Sequence, residues 1–466
     1  MSVPAIGSHE AGDNGFVLGL LAVCLILTAV LLSQLASPAV VFGVTGLLVA
    51  CAIIPARWPY GALLVLLIAS VMPRIKVDIG GWHARPEHCV ALLVLSVFLV
   101  RPPLQRGVRK FSLAATDRWV AAYLLWSYVS SALMSPDPRL TLRWALLTNF
   151  AVLPYFLIQV FIADHRMLSW TFRAFLSVGV IECAYAVVCF TSRQLFGTGF
   201  GVEVGQYSLS GLGGIYGTQY EPNILGSYSA CLAVMLLVLA FLTPHRTNWA
   251  AGGTIIAFAS VLVSLSRAAV LSFVFTSFIL LLFGIRSGVV KMKKLLPICL
   301  VLAIFIAPIA AMSGKNLVDR FANLSGDTIQ TDMETVGRLL SVTLALDDIW
   351  QHPVAGNGTA SFGLLAGARL GDGAWIANSA VRVVHDTGIV GLFLFAAILY
   401  SLGKHIKKVI RGSARERNIV IVLLAGCLVY AIAFMSADGT MLSFFWVHLG
   451  LLSSACSLAT EHVSEF

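Results

Sequence analysis

The sequence predicts an all-α integral membrane protein, and three observations predict it. Of 466 residues, 58% are hydrophobic and 11% are charged, whereas a soluble domain carries about 25% charge. Residues 15–56 run 42 positions without Asp, Glu, Lys or Arg, about twice the length a helix needs to cross a bilayer. The apolar segments are solid runs rather than alternating ones, which excludes a transmembrane β-barrel. The same composition excludes a soluble enzyme, a nucleic-acid binder and a secreted disulfide scaffold.

Apolar runs bounded by charges or turn residues predict fourteen spans. They fall near 16–34, 39–55, 60–73, 88–100, 119–135, 144–162, 168–192, 222–243, 248–265, 268–285, 295–312, 386–403, 419–436 and 440–459. The third and fourth are short enough to tilt or re-enter, so twelve to fourteen crossings are expected. Residues 1–466 read as one polytopic membrane domain. Glu10 and Asp13 occupy an N-terminus with no basic stretch, so the first span is expected to be retained rather than cleaved. All nine cysteines lie in or beside apolar runs with no Cys-x-x-Cys, which reads as packing rather than a disulfide framework.

Orientation follows from Lys and Arg in the connections. With the N-terminus inside, the inner connections hold 19 basic residues and the outer ones 12. This arrangement predicts cytoplasmic N- and C-termini and accounts for the net charge of +9 without a nucleic-acid patch. Three outer connections are long. Residues 74–87 are polar, and 193–221 are rich in Gly and Ser and read as a mobile loop. Residues 313–385 form a large outer loop inserted between spans. Within it Val336, Leu339, Leu340, Thr343, Leu346 and Trp350 recur at helical spacing opposite Asp347 and Asp348, predicting an amphipathic helix at or near the membrane surface. The helix has apolar surface enough to rest on the membrane but few anchors at either end, so the loop is expected to be able to close.

A few polar residues are out of place in such a chain. Arg267, in Ser264-Leu265-Ser266-Arg267, stands between two apolar runs with no Gly or Pro to separate them. The turn must be tight, and the guanidinium stays near the hydrocarbon, where it wants a partner. Either it snorkels to lipid phosphate or it forms an anion site. Asn378, Arg382, His385 and Asp386 are spaced i, i+4, i+7 and i+8, which places them on one helical face. A His–Asp pair can serve as base and orienter, and Arg binds oxyanions in bidentate fashion. An ordinary polar helix start has the same spacing. Gly388-x-x-Gly391 follows, a pair that lets helices approach closely. Arg338 is either a solvated charge or a further phosphate contact. Glu221, before Pro222-Asn223, is either part of a helix start or a carboxylate able to assist proton transfer. Glu182 lies within the seventh span and must be protonated, paired or functional. No metal-ligand spacing, phosphate-cradling Gly-x-x-x-x-Gly-Lys or Gly-x-Ser-x-Gly occurs, so neither a metal nor a cofactor is expected.

Several of these segments together resemble the O-antigen ligase and O-antigen polymerase superfamily of bacterial envelope glycan enzymes. They are Glu221-Pro222-Asn223-Ile224-Leu225-Gly226, Ser264-Leu265-Ser266-Arg267-Ala268-Ala269, Gly337-Arg338 through His352-Pro353 to Gly356-Asn357-Gly358, and Asn378 through Gly388-Ile389-Val390-Gly391. The resemblance covers roughly residues 74–440. It implies a GT-C-like, metal-independent inverting glycosyltransferase of the bacterial inner membrane, with its active site on the periplasmic side. The donor would be a glycan on undecaprenyl diphosphate and the acceptor a hydroxyl of a glycan or lipid. Membrane lipids and a chain-length regulator or other envelope glycan machinery would be its partners. It further implies diphosphate binding by Arg267, Arg338 and Arg382, and catalytic roles for His385, Glu221 and Asn378. Ligases of the family carry His before the Asn, where this chain has Ala377. That departure favours an O-antigen or exopolysaccharide polymerase and leaves the base's role either vacant or moved to His385, with Glu221 as the alternative. The alternatives are a ligase attaching finished glycan to a lipid or protein and, in another class, a lipid-glycan transporter.

Overall fold

Proline, glycine and short polar caps delimit the helices of this chain, as they do in water-soluble proteins. The structure is a computed structural model that describes residues 50, 53–54, 58–74, 77–79, 82–100, 114–197, 214–243, 247–286, 333–370, 375–412 and 416–461. The expected spans 16–34 and 295–312, and most of 39–55, lie outside these residues. In chain order the elements are α1 (Tyr60–Ser70), a hairpin of β1 (Val77–Ile79) and β2 (Trp82–Ala84), α2 (Pro86–Val100), α3 (Ala115–Leu133), α4 (Pro138–Phe161), α5 (His165–Phe196), α6 (Pro222–Leu242) and α7 (Thr247–Val263). There follow α8 (Arg267–Arg286), α9 (Met333–Ile349), α10 (Phe362–Leu370), α11 (Ser379–Arg411), α12 (Arg417–Ala433) and α13 (Ser443–Glu461). The strands pair antiparallel with Ile79 opposite Trp82.

Capping explains several boundaries. Asp137 accepts from the backbone N–H of Arg139 and Leu140 at the start of α4, where Pro138 stands in the first turn. Asp164 accepts from Met167 N–H at 2.7 Å to start α5, which ends at Gly197 with φ +69°. Pro222 opens α6.

Six helices are long and apolar enough to cross a bilayer by length and composition: α4, α5, α6, α8, α11 and α13. Shorter apolar helices include α1, α2, α7 and α12. The chain is thus all-α in its membrane-compatible part. α6 is its centre. Every residue from Asn223 to Leu236 is buried, as expected of a helix apolar all round, and α7, α8 and α12 pack against it. Two hydrogen bonds fix how α3 and α11 run. Thr116 Oγ1 meets Ser401 Oγ at 3.0 Å at one end, and Ser130 Oγ donates to Asp386 C=O at 2.7 Å at the other. The pair is antiparallel, which places the loop after α3 beside the start of α11. The six cysteines described are free.

α9 keeps the exposed apolar stripe expected of it, but Asp347 is exposed along with that stripe rather than opposite it. Its buried side carries Ser341 and Ala345, with Arg338 and Asp348 beside them, and its apolar side stays exposed, Trp350 at 80%. Ala345 packs with Phe362, Ala366 and Ile376 in a small core of the loop region itself. The apolar stripe therefore faces away from the protein, as an in-plane membrane helix requires.

Candidate functional site

The site is built around a break in α11. At Gly388 the backbone takes φ +66° and ψ −168°, a region open in practice only to glycine. The i→i−4 bonds that Ile389 and Val390 would make to His385 and Asp386 are replaced. Ile389 N–H donates to Pro353 C=O at 2.9 Å and Val390 N–H to Val354 C=O at 3.3 Å. The carbonyls of His385 and Asp386 instead accept from Asn357 N–H at 2.8 Å and Gly358 N–H at 3.0 Å. Trp126 Nε1 donates to Thr387 C=O at 2.8 Å. Every backbone group that the break frees here is thus satisfied. A Cβ at Gly388 would stand 2.2 Å from Val354 O, and one at Gly356, φ +79°, would stand 2.4 Å from Thr387 N. The Gly388-x-x-Gly391 pair therefore does not seat a neighbouring helix as expected. Gly388 seats the loop 353–358, because only glycine lets two backbones come this close.

The break carries a buried ionic cluster. Nδ1 of His385 lies 2.9 Å from Asp386 Oδ1, and its Nε2 is 3.7 Å from Asp348 Oδ2 on α9. The Nε2 atom is buried with no hydrogen-bond partner. Its ring meets Phe362 edge-on at 5.5 Å. Asp386 Oδ2 accepts from Ala360 N–H at 2.9 Å and faces Arg382 Nε at 3.4 Å. Arg382 Nη1 also donates to Asp438, whose Oδ1 accepts from Thr440 Oγ1 at 2.7 Å and Ser379 Oγ at 3.1 Å. Asp386 on Nδ1 fixes the tautomer that leaves Nε2 as the basic nitrogen. A small cleft lined by Ser127, Thr148, Thr359 and Thr440 also borders Arg382 and Asp386.

The turn expected at 264–267 is as tight as the sequence demands. α7 stops at Val263, α8 begins at Arg267, and Leu265 takes φ +55° between them. Ser264 and Ser266 press against Gly226 of α6, where a Cβ would lie 2.7 Å from Ser264 Oγ. The Arg267 turn and Glu221, which immediately precedes α6, therefore share the head of α6. The tail of α12 shares it too: Gly426 packs on Cys231 and Met235 while Tyr430 and Tyr228 both meet Phe444. Asp438, just beyond that tail, joins this end to the His385 cluster through Arg382.

Among the sequence-predicted residues, Arg382 and His385 are brought together. Arg382 is clasped by two carboxylates rather than turned to an open anion site. Asn378 is the N-cap of α11, accepting from Val381 N–H at 3.0 Å and donating to Met435 C=O at 2.8 Å. Arg338 Nη1 donates to Ser436 C=O at 3.0 Å in the same turn. Glu221 and Arg267 stand together at the head of α6, and Glu182 accepts from Thr218 N–H at 2.9 Å. The expectation of few anchors for the loop is corrected, since the four backbone bonds at Gly388 hold its 353–358 segment. Sequence reasoning missed Asp438. Asp438 stands beside Gly439 and reads from the sequence as an ordinary turn residue, so no local signal marks it before Arg382 is seen against it. No known family model matches the chain, and neither does any curated protein.

Proposed function

We propose that this protein is a metal-independent inverting glycosyltransferase, taking a glycan from undecaprenyl diphosphate at the outer face of the bacterial inner membrane. The acceptor is the hydroxyl of a growing glycan, so the reaction is polymerisation. The observation that carries the reading is the His385–Asp386 pair, its buried Nε2 turned to Asp348 Oδ2 at 3.7 Å, at the same end of the bundle as the Arg267 turn. The acceptor hydroxyl attacks the anomeric carbon and gives its proton to His385, while Asp386 orients the ring. The glycosidic C–O bond to diphosphate breaks as the new one forms. Arg267 stabilises the charge gathering on the leaving diphosphate, with Arg338 as a second contact. Arg382 holds Asp386 in place rather than meeting the donor. Asp348 sits where the acceptor must reach Nε2, so α9 swings aside while the 353–358 segment stays. On the fourteen-span topology expected from the sequence, with both termini cytoplasmic, this end lies outside. The test is deletion of the gene followed by gel analysis of lipid-linked and surface glycans. Loss of long chains with single repeat units retained supports polymerisation, full-length lipid-linked chains indicate a ligase, and unchanged glycans remove the reading.

A further inference from the structure

Glu182 on α5 is 5% exposed, and the chemistry proposed at His385 does not use it. Its partner is the connection 214–221 that leads into α6. This stretch is not helical, yet residues 214–217 and Gln219 are buried. Irregular backbone among spanning helices is tolerated only where the protein satisfies its polar groups. Ile215 N–H donates to Val263 C=O at 3.1 Å, Gln219 N–H to Tyr216 C=O at 2.8 Å, and Arg74 N–H to Thr218 C=O at 3.1 Å. Val71 C=O, just after α1, accepts from the Thr218 hydroxyl and from Gln219 Nε2 at 3.0 Å. Thr218 N–H turns to a side chain instead, donating to Glu182 Oε1 at 2.9 Å. Gly217 takes φ +54° beside it, and a Cβ there would stand 2.5 Å from the same oxygen. The carboxylate is fitted directly against the backbone of this turn.

The other end of the stretch bears on Arg267. Val263 is the last residue of α7, so its carbonyl looks beyond its own helix, and Ile215 N–H takes it up. A Cβ at Gly214 would stand 2.2 Å from Ser264 O and 2.9 Å from Pro222 Cβ. Residue 214 is therefore wedged between the 264–266 turn and the start of α6. We propose that Glu182 is a positioning residue: by accepting from Thr218 N–H it holds the stretch 214–221 as a brace, which fixes the Arg267 turn and the Glu221 end of α6. The effect on transfer rests on the glycosyl-transfer reading; the brace itself does not. The donor is a neutral amide, so the brace needs an acceptor of this shape and not a charge. A proton carrier or an ion pair at Glu182 would need the ionisable group.

The experiment places the full-length protein in nanodiscs and reads hydrogen–deuterium exchange of the stretches 214–221 and 260–268 together with transfer kinetics. Glu182→Leu should speed exchange in both stretches by about tenfold or more. It should also lower kcat/KM by about 10–10²-fold, since a displacement of about 1 Å can cost that much. Glu182→Gln should restore both to within about twofold, with an unaltered pH profile, because its amide oxygen accepts as the carboxylate does. Where Glu182→Leu does not fold, Gly217→Ala, which crowds the same oxygen, should show the same faster exchange. Unchanged exchange in the folded variant, or a Glu182→Gln protein that behaves like Glu182→Leu, overturns the brace. Faster exchange with unaltered transfer overturns the positioning role. Faster exchange in a protein without transferase activity would remove the transfer reading and leave the brace standing, whereas transfer with unchanged exchange would do the reverse.

Discussion

Arg267 and Asp438 occupy comparable places, each a lone charge in a tight connection between apolar helices, yet only one was legible. Arg267 is conspicuous because no turn residue separates its flanking runs. Asp438 sits beside Gly439 and reads as an ordinary turn until Arg382 is seen against it. Which charges pair is decided by tertiary packing, which spacing along one helix cannot supply. Asn378 shows the opposite case: it shares the face of Arg382, but its cap bond explains its place without chemistry. Two charges about 4 Å apart at an effective dielectric near 20 interact by roughly 4 kcal/mol. Arg267→Ala should therefore abolish transfer with the fold intact, and Lys should rescue poorly because the planar fork is lost; near-normal turnover in Arg267→Ala would sink its role. Removing one partner of a buried ion pair costs about 3–5 kcal/mol. Asp438→Asn should accordingly lower the Tm of the purified protein markedly, and an unchanged Tm would mean that Arg382 is held by Asp386 alone.

At the scale of elements, the helices themselves were largely legible, because apolar runs and their Pro, Gly and Asp punctuation are local. The 264–266 turn and the start of α6 at Pro222 lie where the pattern put them. The break at Gly388 was not legible, since it depends on a loop thirty residues upstream supplying carbonyls and N–H groups to α11. Gly388→Ala should lose activity and stability together, because a Cβ there would lie 2.2 Å from Val354 O; a variant with wild-type activity would show that the loop can be seated otherwise. α9 was legible as amphipathic, but not which residues of its polar side would meet the site. Its inward side holds Asp348 over His385 Nε2. A reversible disulfide tying α9 near Trp350 to the end of a neighbouring span should block transfer until reduced. Activity that survives complete crosslinking would make α9 a static cover.

Across the whole molecule, composition alone excluded soluble classes, and the described helices agree with a chain that crosses the membrane several times. The out-of-place polar residues gather at one end: the head of α6, the tail of α12 and the broken start of α11. That gathering is a product of antiparallel packing, whereas the sequence supplied only which residues were out of place. In the proposed reaction this end transfers a glycan with His385 as the base. It is tested most directly by reconstituting the purified protein with an undecaprenyl-diphosphate-linked glycan and following new glycosidic bonds and released undecaprenyl diphosphate, with chelator present. General-base assistance typically contributes 10²–10⁴-fold. The wild type should transfer in chelator, and His385→Ala should be slower by about that factor while still binding donor. No transfer by the wild type, or an unchanged rate in His385→Ala, would contradict the account.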